Sequence, residues 1–230
     1  MMTAFHLTKF PTPDELTLAV TDCLGDALRD EDGGRVGILL PGGTTPVAAY
    51  QELCRRKIVA SGKITILYSD ERHVSPDAPE SNYGMTRPLL KSLSIPDDRV
   101  IRVHAELDLA AAAERYHRDL ERFLEGGGRL SLGFLGLGQD GHTASLFTPA
   151  DVERGQGRYA VAVPRAKKPD RISVTPGLLR RIERVIILVS GPDKREIVEK
   201  LIRTPHEVTA AHALRDVPDV EIWQAVKSEA

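Results

Sequence analysis

Asp140 and His142 flank Gly141 in the stretch GLGQDGHTASLF at 136–147. An imidazole takes a proton from water near neutral pH, and a carboxylate beside it orients the ring or stabilises its charged form. A base held this way contributes about 10²–10⁴ in rate. The competing reading is that His142 only caps a turn. An apolar run, Ser131–Leu137, precedes the pair, which places it at the carboxyl end of an expected strand and favours catalysis. A short helix is expected after His142, with its first N–H groups facing a developing oxyanion. The letters at 136–141 also fit a dinucleotide-binding GxGxxG. That fingerprint needs a helix of several turns, and Pro149 stands only eight residues after Gly141. Asp140 would also set a carboxylate against a pyrophosphate, so the nucleotide reading is rejected.

A second Gly-rich turn reads LPGGTTP at 40–46. Gly42 and Gly43 let a ligand approach the backbone, and Thr44 and Thr45 add hydroxyls. Pro46 is expected to open a helix whose free N–H groups favour an anion. Either this is a cradle for phosphate or sugar hydroxyls, or it is a tight turn with a threonine N-cap. It is not a Walker loop, because no Lys-Ser/Thr pair follows the glycines.

The segment SDERHVSPDAPESNYG at 69–84 is a long polar loop after an apolar run, and such loops usually carry function. Asp70 and Arg72 come directly off the strand end, able to fix one another or to hold a polyhydroxyl ligand. Ser81 or Asn82 suits the N-cap of the next helix. Farther on, Arg165, Lys167, Lys168 and Arg171 surround a Pro-Asp turn, and Lys194 sits in SGPDK just inside a helix. A lysine there can meet an anion already favoured by the helix N-terminus, although single basic residues are more often surface charges.

The elements that must position these groups alternate. Helix-like stretches span 14–30, with an apolar stripe at Leu16, Val20, Leu24 and Leu28, and also 82–93, 108–125 and 193–203. Strand-like runs cover 35–40, 63–68, 131–137, 159–163, 171–175 and 185–190. This pattern predicts one α/β domain over 1–230, a mostly parallel sheet with helices on both faces. Ligands then bind beyond the carboxyl ends of the strands, after Leu40, Tyr68, Leu137 and Ser190.

Bulk properties exclude several classes. The net charge is −2 and the pI about 6.4, which gives no sequence-wide attraction to nucleic acid or an anionic membrane. The N-terminal residues lack a signal-peptide pattern, and no apolar run is long enough to span a bilayer. Cys23 and Cys54 read as small buried residues in a reducing compartment, so a cytoplasmic protein is expected. No Cys/His cluster has metal-ligand spacing.

Taken in order, PGGTTP at 41–46, SDERHVSP with SNYGM at 69–85, GLGQDGHTASLF at 136–147, RISVT at 171–175 and GPDK at 191–194 resemble the 6-phosphogluconolactonase family. DGHTASLF is the most specific of these pieces. The resemblance implies a fold related to the glucosamine-6-phosphate deaminases and hydrolysis of 6-phosphogluconolactone to 6-phosphogluconate, without metal or organic cofactor, by a monomer or weak homodimer. It assigns His142 as general base and Asp140 as the acid beside it. It places Gly42, Gly43, Thr44 and Thr45 in the ligand-binding turn, and Arg72, Arg171 and Lys194 near the substrate phosphate. Two departures stand out: Pro41 replaces a usual serine, and SLFTP replaces SLFP. The deaminases carry an acidic residue past the histidine, in a DGHIAFNEP-like motif, that DGHTASLF lacks. Their proton shuttling would need that extra partner. A non-catalytic sugar-phosphate sensor is the other competitor, and the motifs leave no obvious segment for an output module.

Overall fold

Short, mostly apolar runs form the centre of the molecule. In the computed structural model, which describes residues 3–226, β2 (Val36–Leu40) and β3 (Ile64–Tyr68) are buried at every position. They join β6 (Arg129–Gly136), β9 (Ile182–Ser190), β10 (Asp219–Ala225), β1 (Ala4–Phe10) and β5 (Val100–Ile101) in a seven-stranded parallel sheet, ordered β1-β10-β9-β6-β2-β3-β5. Strands covered on both faces need no polar alternation, which is why the central runs read as continuous apolar stretches.

Side chains alternate along each strand and feed two cores. On one face Val36, Ile38 and Leu40 meet α1 (Pro13–Ala27), α2 (Thr44–Arg56) and α3 (Asn82–Ser92) through Leu24, Leu53 and Leu89. On the other, Leu39 and Leu67 meet α4 (Leu109–Glu125) through Tyr116, Leu120 and Phe123. This face also takes in the shorter helices α5 (Pro149–Arg154), α6 (Pro176–Leu179), α7 (Arg195–Arg203) and α8 (Thr209–Leu214). Gly37 makes room for its strand neighbours and for α4: a Cβ there would come within 2.6 Å of Leu130, 2.8 Å of Leu67 and 3.1 Å of Phe123 on α4. The stripe Leu16, Val20, Leu24 and Leu28 is buried as its spacing predicts. Thr12 caps α1 by accepting from the Glu15 N–H. Cys23 and Cys54 are partly, not fully, buried at the margin of the same core.

The chain enters the sheet at its edge strand β1 and crosses through α1 to β2 near the middle. From β2 it runs outward to β3 and β5, returns to β6 on the other side of β2, then proceeds to β9 and β10. Between β2 and β6 the winding direction reverses, and the carboxyl ends of these two strands open the crevice where such sheets bind ligands. The two Gly-rich turns follow these two strands.

A second, antiparallel sheet lies beside that end: β4 (Asp70–Arg72), β8 (Arg171–Val174) and β7 (Ala160–Val163), ordered β4-β8-β7. The long polar loop therefore begins as a strand. The edge strand β5 is too short to pair Tyr68. Instead the Tyr116 hydroxyl accepts from the Tyr68 N–H at 3.0 Å and donates to its carbonyl at 2.6 Å. Burial pushes the Tyr116 phenol far above its ordinary range, so it stays neutral. Replacing Tyr116 with Phe would strand both backbone groups where β3 turns into β4. Urea denaturation should show a loss of about 1–3 kcal/mol for Tyr116→Phe, the penalty for unpaired buried polar groups.

Candidate active site

The Gly-rich turn after β2 has no side-chain cap. Gly43 (φ 100°) is the N-cap of α2, and helix begins at Thr44. Pro46 is thus the third helical residue, and neither threonine acts as the cap. The first N–H groups of α2 have no acceptor within the helix and stand at the mouth of the crevice, with Thr44 exposed. The Tyr50 hydroxyl donates to the Pro41 carbonyl at 3.0 Å and steadies the turn from below.

The turn after β6 brings Asp140 and His142 together. Asp140 Oδ1 lies 2.5 Å from His142 Nδ1 and 3.3 Å from the His142 N–H. A carboxylate only accepts, so Nδ1 carries the hydrogen and Nε2 of the neutral ring is left as an acceptor. Among the described residues no protein group is hydrogen-bonded to Nε2, and Asp140 is the only carboxylate on the ring. Partial burial pushes the Asp140 carboxyl up, but the hydrogen bonds and charge of His142 outweigh it and hold the carboxyl below its ordinary value. Phe147 packs on the imidazole at 4.4 Å between ring centres, and the Arg165 guanidinium lies 3.6 Å from the Phe147 centroid.

No helix follows His142 directly; α5 begins only at Pro149. Thr143 and Leu146 form an isolated antiparallel bridge around Ala144 (φ 49°), and the Ser145 N–H is taken by Ser173 Oγ at 3.1 Å. The expected helix N-terminus is therefore absent here, and the free N–H groups of this crevice belong to α2. The loop is braced from behind. Gly141 (φ 83°) packs on Val208 and Ile197 and accepts from the Ala210 N–H. Gln139 bonds to Asp193, and Lys194 Nζ donates to the Leu137 carbonyl at 2.8 Å. Lys194 thus lies in the short 3-10 turn Pro192–Lys194 just before α7, against the same loop.

Arg72 and Arg171 are cross-strand partners in the antiparallel pair β4–β8. Like charges directly opposite destabilise a sheet. Among the described residues the Arg72 guanidinium donates only to the Glu80 carbonyl, and that of Arg171 to the Pro169 and Asp170 carbonyls. Burial, then the charge of Arg72, lowers the Arg171 guanidinium from its usual value, with Arg165 adding to the effect and Asp70 and Glu71 opposing it. A dianionic ligand would relieve this arrangement.

Asp70 is not presented to solvent as a binding group. It is 8% exposed, and its carboxylate accepts from Ser69 Oγ at 3.1 Å, Asn82 Nδ2 at 3.2 Å and Ser145 Oγ at 2.6 Å. Nor does it pair with Arg72. Glu71 is likewise committed, to the N–H groups of Arg72, Asn82 and Tyr83 and to Ser81 Oγ. Burial raises its pKa against the pull of those donors. Ser81 is the N-cap of α3, as one of the two sequence readings had it, and Asn82 turns inward. Sequence reasoning named Arg165 among surface basic residues and did not weigh Phe147, Ser145 or Gly138.

The chain matches the model of the glucosamine-6-phosphate isomerase/6-phosphogluconolactonase family over residues 11–221. It is 33% identical to a 6-phosphogluconolactonase of Aggregatibacter actinomycetemcomitans over 178 residues, 74% of this chain and 75% of that one. It is 35% identical to a 6-phosphogluconolactonase of a Synechocystis species over 176 residues, 73% and 72% of the two chains. The structure of 6-phosphogluconolactonase from Trypanosoma cruzi superposes with a TM-score of 0.81 at 26% identity, covering 98% of this chain and 96% of that one. A monomeric glucosamine-6-phosphate deaminase shares the fold, with a TM-score of 0.77 at 21% identity over 96% of this chain and 97% of that one. The chain belongs to the glucosamine-6-phosphate isomerase/6-phosphogluconolactonase family. Within it, the chain falls with the 6-phosphogluconolactonases.

Gly138 offers a direct check on the pair. A methyl there would overlap both His142 Nδ1 and Asp140 Oδ1, while its backbone conformation suits any residue. Gly138→Ala should leave the thermal midpoint within a few degrees and lower kcat by roughly 10²-fold, as misplacement of a catalytic group does. Melting curves beside steady-state kinetics would show it.

Proposed function

We propose that the protein hydrolyses 6-phospho-D-glucono-1,5-lactone to 6-phosphogluconate, the second step of the oxidative pentose phosphate pathway, with His142 as general base. The observation that carries this reading is the Asp140–His142 pair at the switch point, with Nε2 left as a free acceptor.

Arg72, Arg171 and Lys194 hold the substrate phosphate, and the doubly charged group meets two guanidiniums that face each other without a carboxylate between them. Lys194 spends one donor on Leu137 and keeps two. With the phosphate anchored, the lactone carbonyl lies near His142, and orientation lowers the barrier. Nε2 takes a proton from water as the water attacks C1. Asp140 stays ionised and stabilises the imidazolium that forms. The tetrahedral oxyanion is met by N–H groups of the Gly42–Gly43–Thr44–Thr45 turn. Collapse breaks the bond from C1 to the ring oxygen, and the imidazolium returns its proton to that oxygen. The sequence requires no metal, no organic cofactor and no covalent enzyme intermediate, and it suits a cytoplasmic enzyme.

The deaminase alternative gains no support at His142. Phe147 packs on the ring at 4.4 Å between ring centres, and among the described residues no second carboxylate is bonded to it.

In the decisive assay, glucose-6-phosphate dehydrogenase generates the lactone in place, 6-phosphogluconate dehydrogenase reports the acid, and spontaneous opening is subtracted. A rate proportional to added protein is expected, falling at least about 10²-fold in His142→Ala with product affinity kept. Lys194→Ala should mainly raise KM. No rate above background would overturn the reading, and near-normal turnover in His142→Ala would remove that residue from the role of base. Ammonia release from glucosamine 6-phosphate would establish the deaminase in its place.

A further inference from the structure

Both Gly-rich turns lie over one buried carboxylate. Asp70 Oδ2 accepts from Ser145 Oγ, three residues past the general base, at 2.6 Å. Asp70 Oδ1 accepts from Asn82 Nδ2, which also donates to the Asp70 carbonyl at 2.9 Å. The Asn82 amide in turn fills the space that a methyl on Gly42 would occupy. The chain of contact therefore runs from the His142 loop through Ser145, Asp70 and Asn82 to the N-terminus of α2. Ser145 and Asn82 are 1% and 2% exposed, so water does not compete for these bonds. A second stitch is the Ser145 N–H on Ser173 Oγ, whose hydroxyl hydrogen goes to the Val174 carbonyl.

We propose that Asp70 is a positioning residue that sets the His142 loop in register with the Gly-rich turn after β2, through Ser145 on one carboxylate oxygen and Asn82 on the other, without touching substrate. The general base and the oxyanion donors come from different strands, β6 and β2, whose backbone pairing ends at Leu39↔Gly133. Past that point no backbone ladder fixes the two turns relative to each other. The buried side-chain bridge supplies that fixation. This inference rests on the lactonase reading above.

The test compares Ser145→Ala, Asp70→Asn, Asp70→Ala and the double variant Ser145→Ala/Asp70→Ala in the lactone assay. Binding of 6-phosphogluconate by calorimetry and thermal melting accompany it. An asparagine can accept from Asn82 and Ser69 through its carbonyl and donate to Ser145 Oγ through its amide, so it serves as the conservative rescue. Ser145→Ala and Asp70→Ala should lose about tenfold or more in kcat, with product affinity within about threefold, as a misaligned base predicts. Asp70→Asn should keep most of the turnover, and Ser145→Ala/Asp70→Ala should lose far less than the product of its two single losses would require if they acted independently. Weaker product binding at unchanged kcat in Asp70→Asn would make Asp70 a substrate contact and overturn the proposal. So would unchanged kinetics in Ser145→Ala, or losses of kcat that follow the melting temperature alone. Absence of lactonase activity in the unmodified protein would instead sink the reading on which it rests.

Discussion

A buried carboxylate must be given donors, and the three that Asp70 collects come from three different parts of the chain. Ser69 is its neighbour at the end of β3, Asn82 begins α3, and Ser145 belongs to the loop that carries His142. Leaving such a group unsatisfied is far more costly than the modest net gain of each bond. The three segments are therefore held together more by the penalty for separating them than by their mutual attraction. Glu71 does the same one residue later, gathering the first N–H groups of α3 where the helix dipole favours negative charge. Two consecutive acids that look like part of a solvated charge run are thus internal fastenings.

The framework was legible in the sequence because its signals are local. Runs such as Val36–Leu40 and Ile64–Tyr68 are apolar at nearly every position only because both faces are covered, and the 3.6-residue stripe from Leu16 to Leu28 needed nothing but spacing. The outer strand β1, AFHLTKF, is mostly exposed, and its partner β10 is defined by pairing rather than by composition, so neither announced itself. β4 hides in the charged triplet Asp70–Arg72 because its identity as a strand depends on β8, a hundred residues away. At the site, Asp140 and His142 could be found because their proximity is written in adjacent positions. Asp70 was singled out for the right reason, its place at a strand end, and given the wrong neighbour: Arg72 points to the Glu80 carbonyl while Asp70 turns inward to Ser145. The helix expected after His142 failed for a similar reason. Ser145 and Ser173 draw that segment into a tight bend, a tertiary demand that local propensity does not contain.

The site divides its two electrostatic tasks between two kinds of structure. The proton-handling pair sits on a glycine-punctuated turn, where Gly138 and Gly141 permit a fold-back that puts carboxylate and imidazole two residues apart in hydrogen-bond contact. The positive groups that the proposed function assigns to the phosphate, Arg72, Arg171 and Lys194, come from strands and from the entrance to a helix. On that proposal a substrate must reach both, and length as well as charge would select it.

The small antiparallel sheet has one more implication. Arg72 and Arg171 stand on hydrogen-bonded strands, not on a flexible segment, so their backbones are already fixed before any ligand arrives. Binding then requires little further loss of chain freedom, and the interaction energy of the anion is not consumed in organising its receptor. The reverse side of that economy is a repulsion built into the fold, to which Arg165 adds and which Asp70 and Glu71 oppose. An anion held by this pair, as the proposed function has it, would raise the stability of the fold through ligand linkage.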